Sequence, residues 1–504
     1  MALSHLSRLT LGLSLTLSLC ALPVIRQDGV VNSASQRPAG AGGAVQAGSL
    51  IVIHGAGFGQ GTTGVEACWT QAGKRVALEV RSVSPDRIAA WLPETAPIGE
   101  GQVTVKAGGG WSAPRPLRVV VEAPGLFSRS GRGWGPADSE NTPDAPSRRG
   151  LVVRLLATGK AASVRIGGAD APVVSRRMRP DRVIELAVRI PAAAPEGCHV
   201  PTVALSPSGV ESNSVTLAVQ ETPGPCKKPG WDALAGWRPG KLAVFVLSRT
   251  ASGKPASLGP VEDHVTAGFA TATPASLERS PLLMAPPPGS CAAYGSAWDS
   301  GLPAGASFTG LLLDALGEDA LDAGNELQVN NGNVLMRILH ATGSAGVYQR
   351  MLKGGQPGRA PVPLMTLDGG SFEITGGGGR QVGAFRVGLP APARFDWSNR
   401  AALTRIDKAR PLAVSWAGAV SRIVAMVLLS ASPEKQAVGL IHCTALSSAG
   451  HLSVPASLLA VLPSGKGEIR LISAGQSSRP ASVPGVDHVV PLSVYIQAGE
   501  VQIR

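Results

Sequence analysis

The chain has 504 residues, a length that predicts two to four domains rather than one. Hydrophobic residues make up 44% of it and the mean hydropathy is +0.15, which excludes a wholly disordered chain. The formal net charge of +12 suggests an anionic partner, although the basic residues are mostly arginines, which a GC-rich coding composition also produces. Only 4% of the residues are aromatic, which argues against a deep cleft lined by aromatic rings.

The first residues have the pattern of a secretory signal peptide. One basic residue, Arg8, precedes an apolar stretch that is short for a membrane span. We assign the signal peptide to residues 1–27, with cleavage between Cys20 and Gln27, and Leu19 disfavours lipid attachment at Cys20. The best later apolar run, residues 423–431, is only as long as a strand. The sequence therefore predicts a secreted or cell-surface protein with no transmembrane segment after the signal peptide.

A repeat in the first half predicts two small sandwiches. Residues 84–121 and 179–219 each contain Pro-Asp-Arg, a run ended by proline, Pro-x-Gly, and two segments that alternate apolar and polar residues. Segments that alternate apolar and polar residues and are bounded by proline and glycine are typical of antiparallel β-strands with one buried face. The chain contains 63 glycines and 41 prolines, a composition that favours many short strands joined by turns.

The same region resembles a known family. The motifs "SLIVIHGAGFG", "SPDRIAAWLPETAPIGEGQVTV", "APGLF" and "VRIPAAAPEGCHVPTVALSPSGVESNSVTLAV" recur in one order. Residues 28–220 are thus similar to the Solibacter-type uncharacterised domain of acidobacterial secreted proteins, which is related to the IPT/TIG immunoglobulin-like fold. The resemblance implies fold and export but no functional residues. Residues 128–149 depart from it, being polar where the family has a longer Gly-rich connector.

Residues 49–61, "SLIVIHGAGFGQG", pose the question of a dinucleotide site. A glycine fingerprint can be counted from Gly59, but that register begins six residues after the strand ends at Ile53. The helix that should follow would have to fit in a short segment interrupted by Gly73. We therefore predict a surface turn, with Phe58 folded back into the core, and no cofactor.

Residues 221–231 are rich in proline and glycine, and the sequence after them contains further strand-like apolar runs. A looser resemblance to the C-terminal part of other acidobacterial proteins covers residues 369–387, 395–418 and 441–463. The predicted fold class is all-β, with tandem immunoglobulin-like β-sandwiches followed by one or two further β-sandwich domains. The predicted boundaries are a signal peptide at 1–27, an IPT/TIG-like sandwich at 28–127, a second immunoglobulin-like sandwich at 128–220, a linker at 221–245, a β-rich domain at 246–390 and a C-terminal β-sandwich at 391–504.

Five cysteines remain after the signal peptide, none in a C-x-x-C pair, so disulfides are favoured over a metal site. Cys198 opens a strand of the second repeat and Cys226 follows that repeat's last strand, where an antiparallel sandwich can bring them together. We predict a Cys198–Cys226 disulfide, then a Cys291–Cys443 disulfide, with Cys68 free.

Catalytic motifs are not evident. The sequence has neither G-x-S-x-G nor H-E-x-x-H, and its histidines are scattered. One acidic cluster could hold calcium or supply a carboxylate pair, although a solvated turn is the simpler interpretation: Asp314, Glu318, Asp319, Asp322 and Glu326. Nine arginines form the densest basic cluster, which we expect on a solvated sheet face: Arg148, Arg149, Arg154, Arg165, Arg176, Arg177, Arg179, Arg182 and Arg189.

Three functions stay open. The first is an exported, non-catalytic recognition or structural protein whose partners are anionic surface polymers or glycans, not nucleic acid. The second is a carbohydrate-binding protein that stacks sugars on exposed tryptophans, among them Trp111, Trp134, Trp298 and Trp397. The third is a secreted hydrolase with its site in residues 232–504. The sequence favours the first, and coplanar exposed tryptophans or converging carboxylates would favour the others.

Overall fold

The protein is all-β, and the computed structural model describes most of the chain. The described residues are 22–39, 43–227, 231, 233, 237–252, 261–295, 308–313, 316, 319–341, 346–353, 365–432, 437–476 and 481–504. Within them, no helix is both long enough and apolar enough to cross a bilayer.

The first sandwich is one sheet folded over a core. Its order is β1-β3-β6-β5-β4-β7-β9-β2, with β8 paired to β7. The strands are β1 (Val24–Asn32), β2 (Val45–Gln46), β3 (Leu50–Ala56), β4 (Glu66–Gln71), β5 (Lys74–Ser84), β6 (Arg87–Trp91), β7 (Gly99–Ala107), β8 (Gly110–Trp111) and β9 (Arg115–Val120). The start of β5 pairs with β4 and its end with β6, with a bulge between Val80 and Ser82. This bulge lets one long strand serve both faces of the sandwich.

The second sandwich packs two sheets face to face, ordered β10-β11-β15-β14 and β13-β12-β16-β17. Its strands are β10 (Gly125–Leu126), β11 (Val152–Thr158), β12 (Ser163–Ile166), β13 (Ala169–Ala171), β14 (Val173–Met178), β15 (Ile184–Arg189), β16 (Gly197–Leu205) and β17 (Val215–Val219). Alternate residues such as Val153, Leu155 and Leu186 fill the core between the sheets. In β11 and β15 the period-two pattern in the sequence thus corresponds to one buried face, whereas β17 is buried at every position.

The sequence repeat corresponds to equivalent hairpins. In the first sandwich Pro-Asp-Arg closes the β5–β6 turn, and in the second it lies in the β14–β15 turn. The Pro-x-Gly motifs precede β7 and β16, which pair with β9 and β17 respectively. Arg182, at the end of the second Pro-Asp-Arg motif, has φ of 55°, a left-handed conformation that is uncommon for residues other than glycine.

The C-terminal half contains a long sheet ordered β20-β29-β28-β31-β32-β18-β19-β23-β22-β21-β24-β25, with β26 added to β32, and a separate β27–β30 pair. Its elements are β18 (Gly240–Ala251), β19 (Val261–Ala272), α1 (Pro274–Leu277), β20 (Ser290–Gly295), α2 (Phe308–Leu313), β21 (Glu326–Asn330), β22 (Leu335–His340), β23 (Val347–Lys353), β24 (Ser371–Gly376), β25 (Phe385–Pro390), β26 (Arg405–Ile406), β27 (Leu412–Ser415), β28 (Ile423–Ser432), β29 (Ala437–Leu446), β30 (His451–Val454), α3 (Ala456–Leu459), β31 (Gly465–Gln476) and β32 (His488–Ile503). Short 3-10 turns lie at Arg400–Ala402 and Ser447–Ala449.

The central strands of this sheet are buried on both faces. In β18, Val244 and Val246 join one core, whereas Phe245 and Leu247 join another. In β28, which contains the apolar run 423–431, Met426 likewise faces a third core. Burial on both sides explains why these strands read as continuous apolar runs.

Three predicted boundaries differ from the observed elements. β1 begins at Val24, before the predicted start of the mature chain at Asp28, because Val24 pairs with Ala56. β18 begins at Gly240, inside the predicted linker 221–245. The sheet also runs through the predicted boundary at 390/391, since β32 from the last segment pairs in parallel with β18.

Candidate functional site

The glycine-rich segment is a turn that buries an aromatic ring. β3 ends at Ala56, and Gly57, Gly59 and Gly61 all have positive φ. A Cβ on Gly55 would lie 2.2 Å from the ring of Phe58, which is buried in the first core. The next element is strand β4 rather than a helix, so this segment lacks the helix N-terminus on which a dinucleotide pyrophosphate rests.

Two disulfides lie in the structure. Cys198 is joined to Cys226 with a Cα–Cα distance of 5.5 Å, which links the start of β16 to the segment after β17. Cys291 is joined to Cys443, its direct partner across the antiparallel β20–β29 pair. Cys68 is a buried free thiol on β4. These are the pairs that the sequence predicts.

Some arginines of the predicted basic cluster form ion pairs with carboxylates, and others are exposed to solvent. Arg154 and Arg189 are exposed on the outer face of the β10-β11-β15-β14 sheet, because they alternate with buried residues such as Leu155, and Arg177 is exposed on the edge strand β14. Ion pairs engage Arg149, Arg165, Arg179 and Arg182 with nearby carboxylates. The segment 148–189 holds ten Lys or Arg against three Asp or Glu, which makes it the basic region of the first half.

A groove of about 480 Å³ separates the first two sandwiches. We call it the basic groove. Lys160, Arg176 and Arg182 line it, together with Glu94 and the exposed side chain of Met178. Among the described residues Arg176 has no carboxylate partner, whereas Arg182 lies 3.1 Å from Glu79 Oε2. The lining of the groove therefore carries a net positive charge, and the guanidinium of Arg176 has no carboxylate partner among the described residues.

A second cavity, which we call the junction pocket, lies where the second sandwich meets the C-terminal half. Its volume is about 150 Å³. The Cys198–Cys226 disulfide and His199 line one side, and Leu277, Leu283 and Met284 line the other. Trp134, from the connector 128–149, packs edge-on against Tyr294 nearby in the C-terminal core, with ring centroids 5.6 Å apart.

The polar side chains of the junction pocket have perturbed electrostatics. Burial raises the pKa of Glu278 above its ordinary value, an effect that Arg129 opposes and Asp144 reinforces. Burial also lowers the pKa of His199 to about 4, so its imidazole is neutral at pH 7. Trp237 is buried, and its Nε1 has no hydrogen-bond partner among the residues that the structure describes.

The acidic residues that the sequence groups as a possible calcium or carboxylate site do not form such a site among the described residues. Asp322 accepts hydrogen bonds from the backbone nitrogens of Gly324 and Arg380, and Glu326 pairs with Arg337. Asp314 and Glu318 lie outside the described residues. No group of three or more potential metal ligands is found in the part of the chain that the structure describes.

The tryptophans do not form a stacking row in the described regions. Trp111 is 37% exposed and lies under Arg75, at 4.0 Å from ring centroid to guanidinium carbon. Trp134 and Trp397 are buried, and Trp298 lies outside the described residues.

Sequence reasoning missed the junction pocket. His199, Trp237 and Glu278 come from separate elements, and no spacing rule connects them. The one available signal was Cys226, because its predicted disulfide places the segment after β17 beside His199.

Comparisons with known proteins give distant structural similarities. No family model matches the chain, and no curated protein matches it. The chain resembles SGBP-B of the Bacteroides ovatus mixed-linkage glucan utilization locus in complex with a mixed-linkage heptasaccharide (13% identity, 35% of this chain and 45% of that chain, TM-score 0.21). It also resembles a tetra-tandem repeat in the extending region of a large adhesion protein (11%, 91% and 95%, 0.14) and domains 5–6 of the S-layer protein SbsC (12%, 40% and 100%, 0.20). At these TM-scores the similarities assign neither a family nor a ligand.

Proposed function

We propose that the protein is an exported, non-catalytic β-sandwich protein that binds anionic polymers at the cell surface or in the extracellular matrix. The observation that carries this proposal is the basic groove between the first two sandwiches. Its volume falls within the usual range of binding sites, and Arg176, which has no carboxylate partner in the described part of the chain, is available to an incoming anion.

The charge distribution supports the same partner. The segment 148–189 contributes a net charge of +7 to the +12 of the whole chain. Among its exposed arginines, Arg176 and Arg182 line the groove itself. A concentrated basic surface attracts polyanions from a distance and holds them through several weak contacts that salt screens.

The disulfides support export, because such bonds form and persist in oxidising compartments. The start of β1 narrows the range in which we propose that the signal peptide is cleaved. Val24 and Ile25 pair with Ala56 and Gly55, and Ile25 is buried in the first core. Cleavage after Cys20 and before Val24 would keep this strand whole.

The experiment compares arginine variants with equal loss of charge. The double variant Arg176→Ala/Arg177→Ala removes exposed arginines that have no carboxylate partner among the described residues. Arg337→Ala/Arg386→Ala removes two exposed arginines of the C-terminal half that pair with Glu326 and Glu373. We expect the first variant to elute from a heparin-like resin at clearly lower salt than the second.

Equal elution of both variants would show that only net charge matters and would contradict the groove. A panel of glycosidase, esterase and protease substrates tests the non-catalytic part of the proposal. Turnover that disappears when one carboxylate or serine is replaced would overturn it.

A further inference from the structure

The junction pocket has the dimensions of a site for one ring. An apolar cavity of roughly 150 Å³ in a protein core accommodates benzene, and the junction pocket has about the same volume. Leu277, Leu283 and Met284 give it an apolar wall, and Trp237 contributes an aromatic surface. Such surfaces pack against the flat C–H faces of a ring.

One buried side chain of the pocket has a ring nitrogen without a partner. Trp237 is 5% exposed, and no described residue accepts a hydrogen bond from its Nε1. His199 also lines the pocket, and its Nδ1 lies 3.5 Å from Thr216 Oγ1. Buried polar atoms in native proteins are nearly always satisfied, so the indole N–H of Trp237 at this cavity points to a hydrogen-bonding ligand.

The charges around the pocket balance. Arg129 and Arg238 line it together with Asp144 and Glu278. Arg238 also donates a hydrogen bond to the carbonyl oxygen of Trp237, which fixes it at the rim. With two cations against two acidic side chains, the pocket favours neither an anion nor a cation, in contrast to the basic groove.

We propose that the junction pocket binds one neutral, hydroxyl-bearing six-membered ring, the chemistry of a single pyranose unit. The ring's apolar face packs against the wall of the pocket, and its hydroxyl groups pair with Trp237 Nε1, His199 and the rim side chains. This proposal does not depend on the arginines of the basic groove. Binding here should be nearly independent of salt, whereas polymer retention at the groove should fall with salt.

The test titrates the full chain with glucose, galactose and mannose, and with phenol as a ring that lacks the polyol. Ligand-observed NMR and calorimetry report the affinity. We expect at least one sugar to bind more tightly than phenol. We expect Trp237→Phe, which keeps an aromatic ring but removes the N–H, to weaken that binding about tenfold. Trp111→Phe is the matched control because Trp111 lies on the first sandwich, and it should leave the affinity unchanged.

Glu278→Gln gives a second variant should Trp237→Phe fail to fold. It removes an acidic group from the rim and should change sugar affinity at least threefold without altering elution from the heparin-like resin. Absence of binding by all three sugars at millimolar concentration would overturn the proposal. Equal affinities for phenol and sugar, or equal effects of Trp237→Phe and Trp111→Phe, would overturn it as well.

Discussion

The two halves of the molecule close their cores in different ways. In the first half, each sandwich is built from strands that are near one another in sequence, such as β5 with β6 and β16 with β17. In the C-terminal half, the last strand β32 pairs in parallel with β18, the first strand of that half. The first arrangement forms from local hairpins, whereas the second needs the whole half of the chain to be present. The difference leads to distinct expectations for the two disulfides, the connector, acid sensitivity and surface charge.

Removing the disulfides should give the largest effect and the clearest contrast. Cys198–Cys226 spans a sequence separation of 28 residues, and Cys291–Cys443 spans 152. Chain-entropy reasoning predicts losses of about 4 and about 5 kcal/mol respectively, because the longer loop restricts the unfolded chain more. Chemical unfolding of Cys198→Ala/Cys226→Ala and Cys291→Ala/Cys443→Ala measures both. A larger loss from the shorter loop would contradict this account.

The same contrast explains how much the sequence revealed. In the first half, alternation at β9 and β15 and the repeated Pro-Asp-Arg turns identify strands with one buried face, so the two sandwiches were predictable. In the second half, β18 and β28 are buried on both faces. A continuous apolar run identifies a strand but not its neighbours, which is why the sheet across residue 390 was not anticipated. The junction pocket was missed for a related reason, since Trp237 and Glu278 meet only through tertiary packing.

Trp134 tests whether the two halves unfold together. It belongs to the connector of the second sandwich but lies in the C-terminal core against Tyr294. Trp134→Ala should lower the free energy of unfolding by about 3–5 kcal/mol, the range for large-to-small core substitutions. Trp69→Ala, in the core of the first sandwich, is the control. Calorimetry should show that Trp134→Ala shifts the transition of the C-terminal half and Trp69→Ala does not. The reverse pattern would show that the connector does not couple the halves.

Acid should destabilise both halves through buried histidines. Burial lowers the pKa of His199 in the second sandwich and of His442 on β29 to about 4 each, from an ordinary value of 6.5. Protons therefore bind the unfolded chain first as the pH falls, and stability present above about pH 6.5 is lost down to about pH 4. The loss is about 3 kcal/mol for each histidine. Between pH 7 and pH 4, the free energy of unfolding should depend less on pH in the His199→Asn and His442→Asn variants than in the unmodified protein. His451→Asn, which replaces an exposed histidine, is the matched control variant.

The smallest effect on stability should come from the exposed arginines of the first half. Arg154 lies on the outer face of the second sandwich, with its Nε 4.0 Å from Glu185 Oε1. Exposed pairs of this kind contribute about 0–1 kcal/mol, because water and salt screen the attraction and side-chain ordering opposes it. Arg154→Ala should therefore leave the unfolding midpoint almost unchanged. In the C-terminal half, Arg249 is buried and donates two hydrogen bonds to the carboxylate of buried Asp263.

Arg249→Ala should cost about 3–5 kcal/mol, because Asp263 would stay buried without its cation. The ratio of the two losses, measured by urea unfolding, separates arginines that hold the fold from arginines that face solvent. If Arg154→Ala also costs several kcal/mol, the basic face is structural, and its charge needs no partner to explain it. If Arg154→Ala is neutral for stability but lowers the salt concentration needed to elute the protein from a heparin-like resin, the face acts through its charge. That outcome would place the basic residues of the first half in binding and the buried ion pair of the second half in folding.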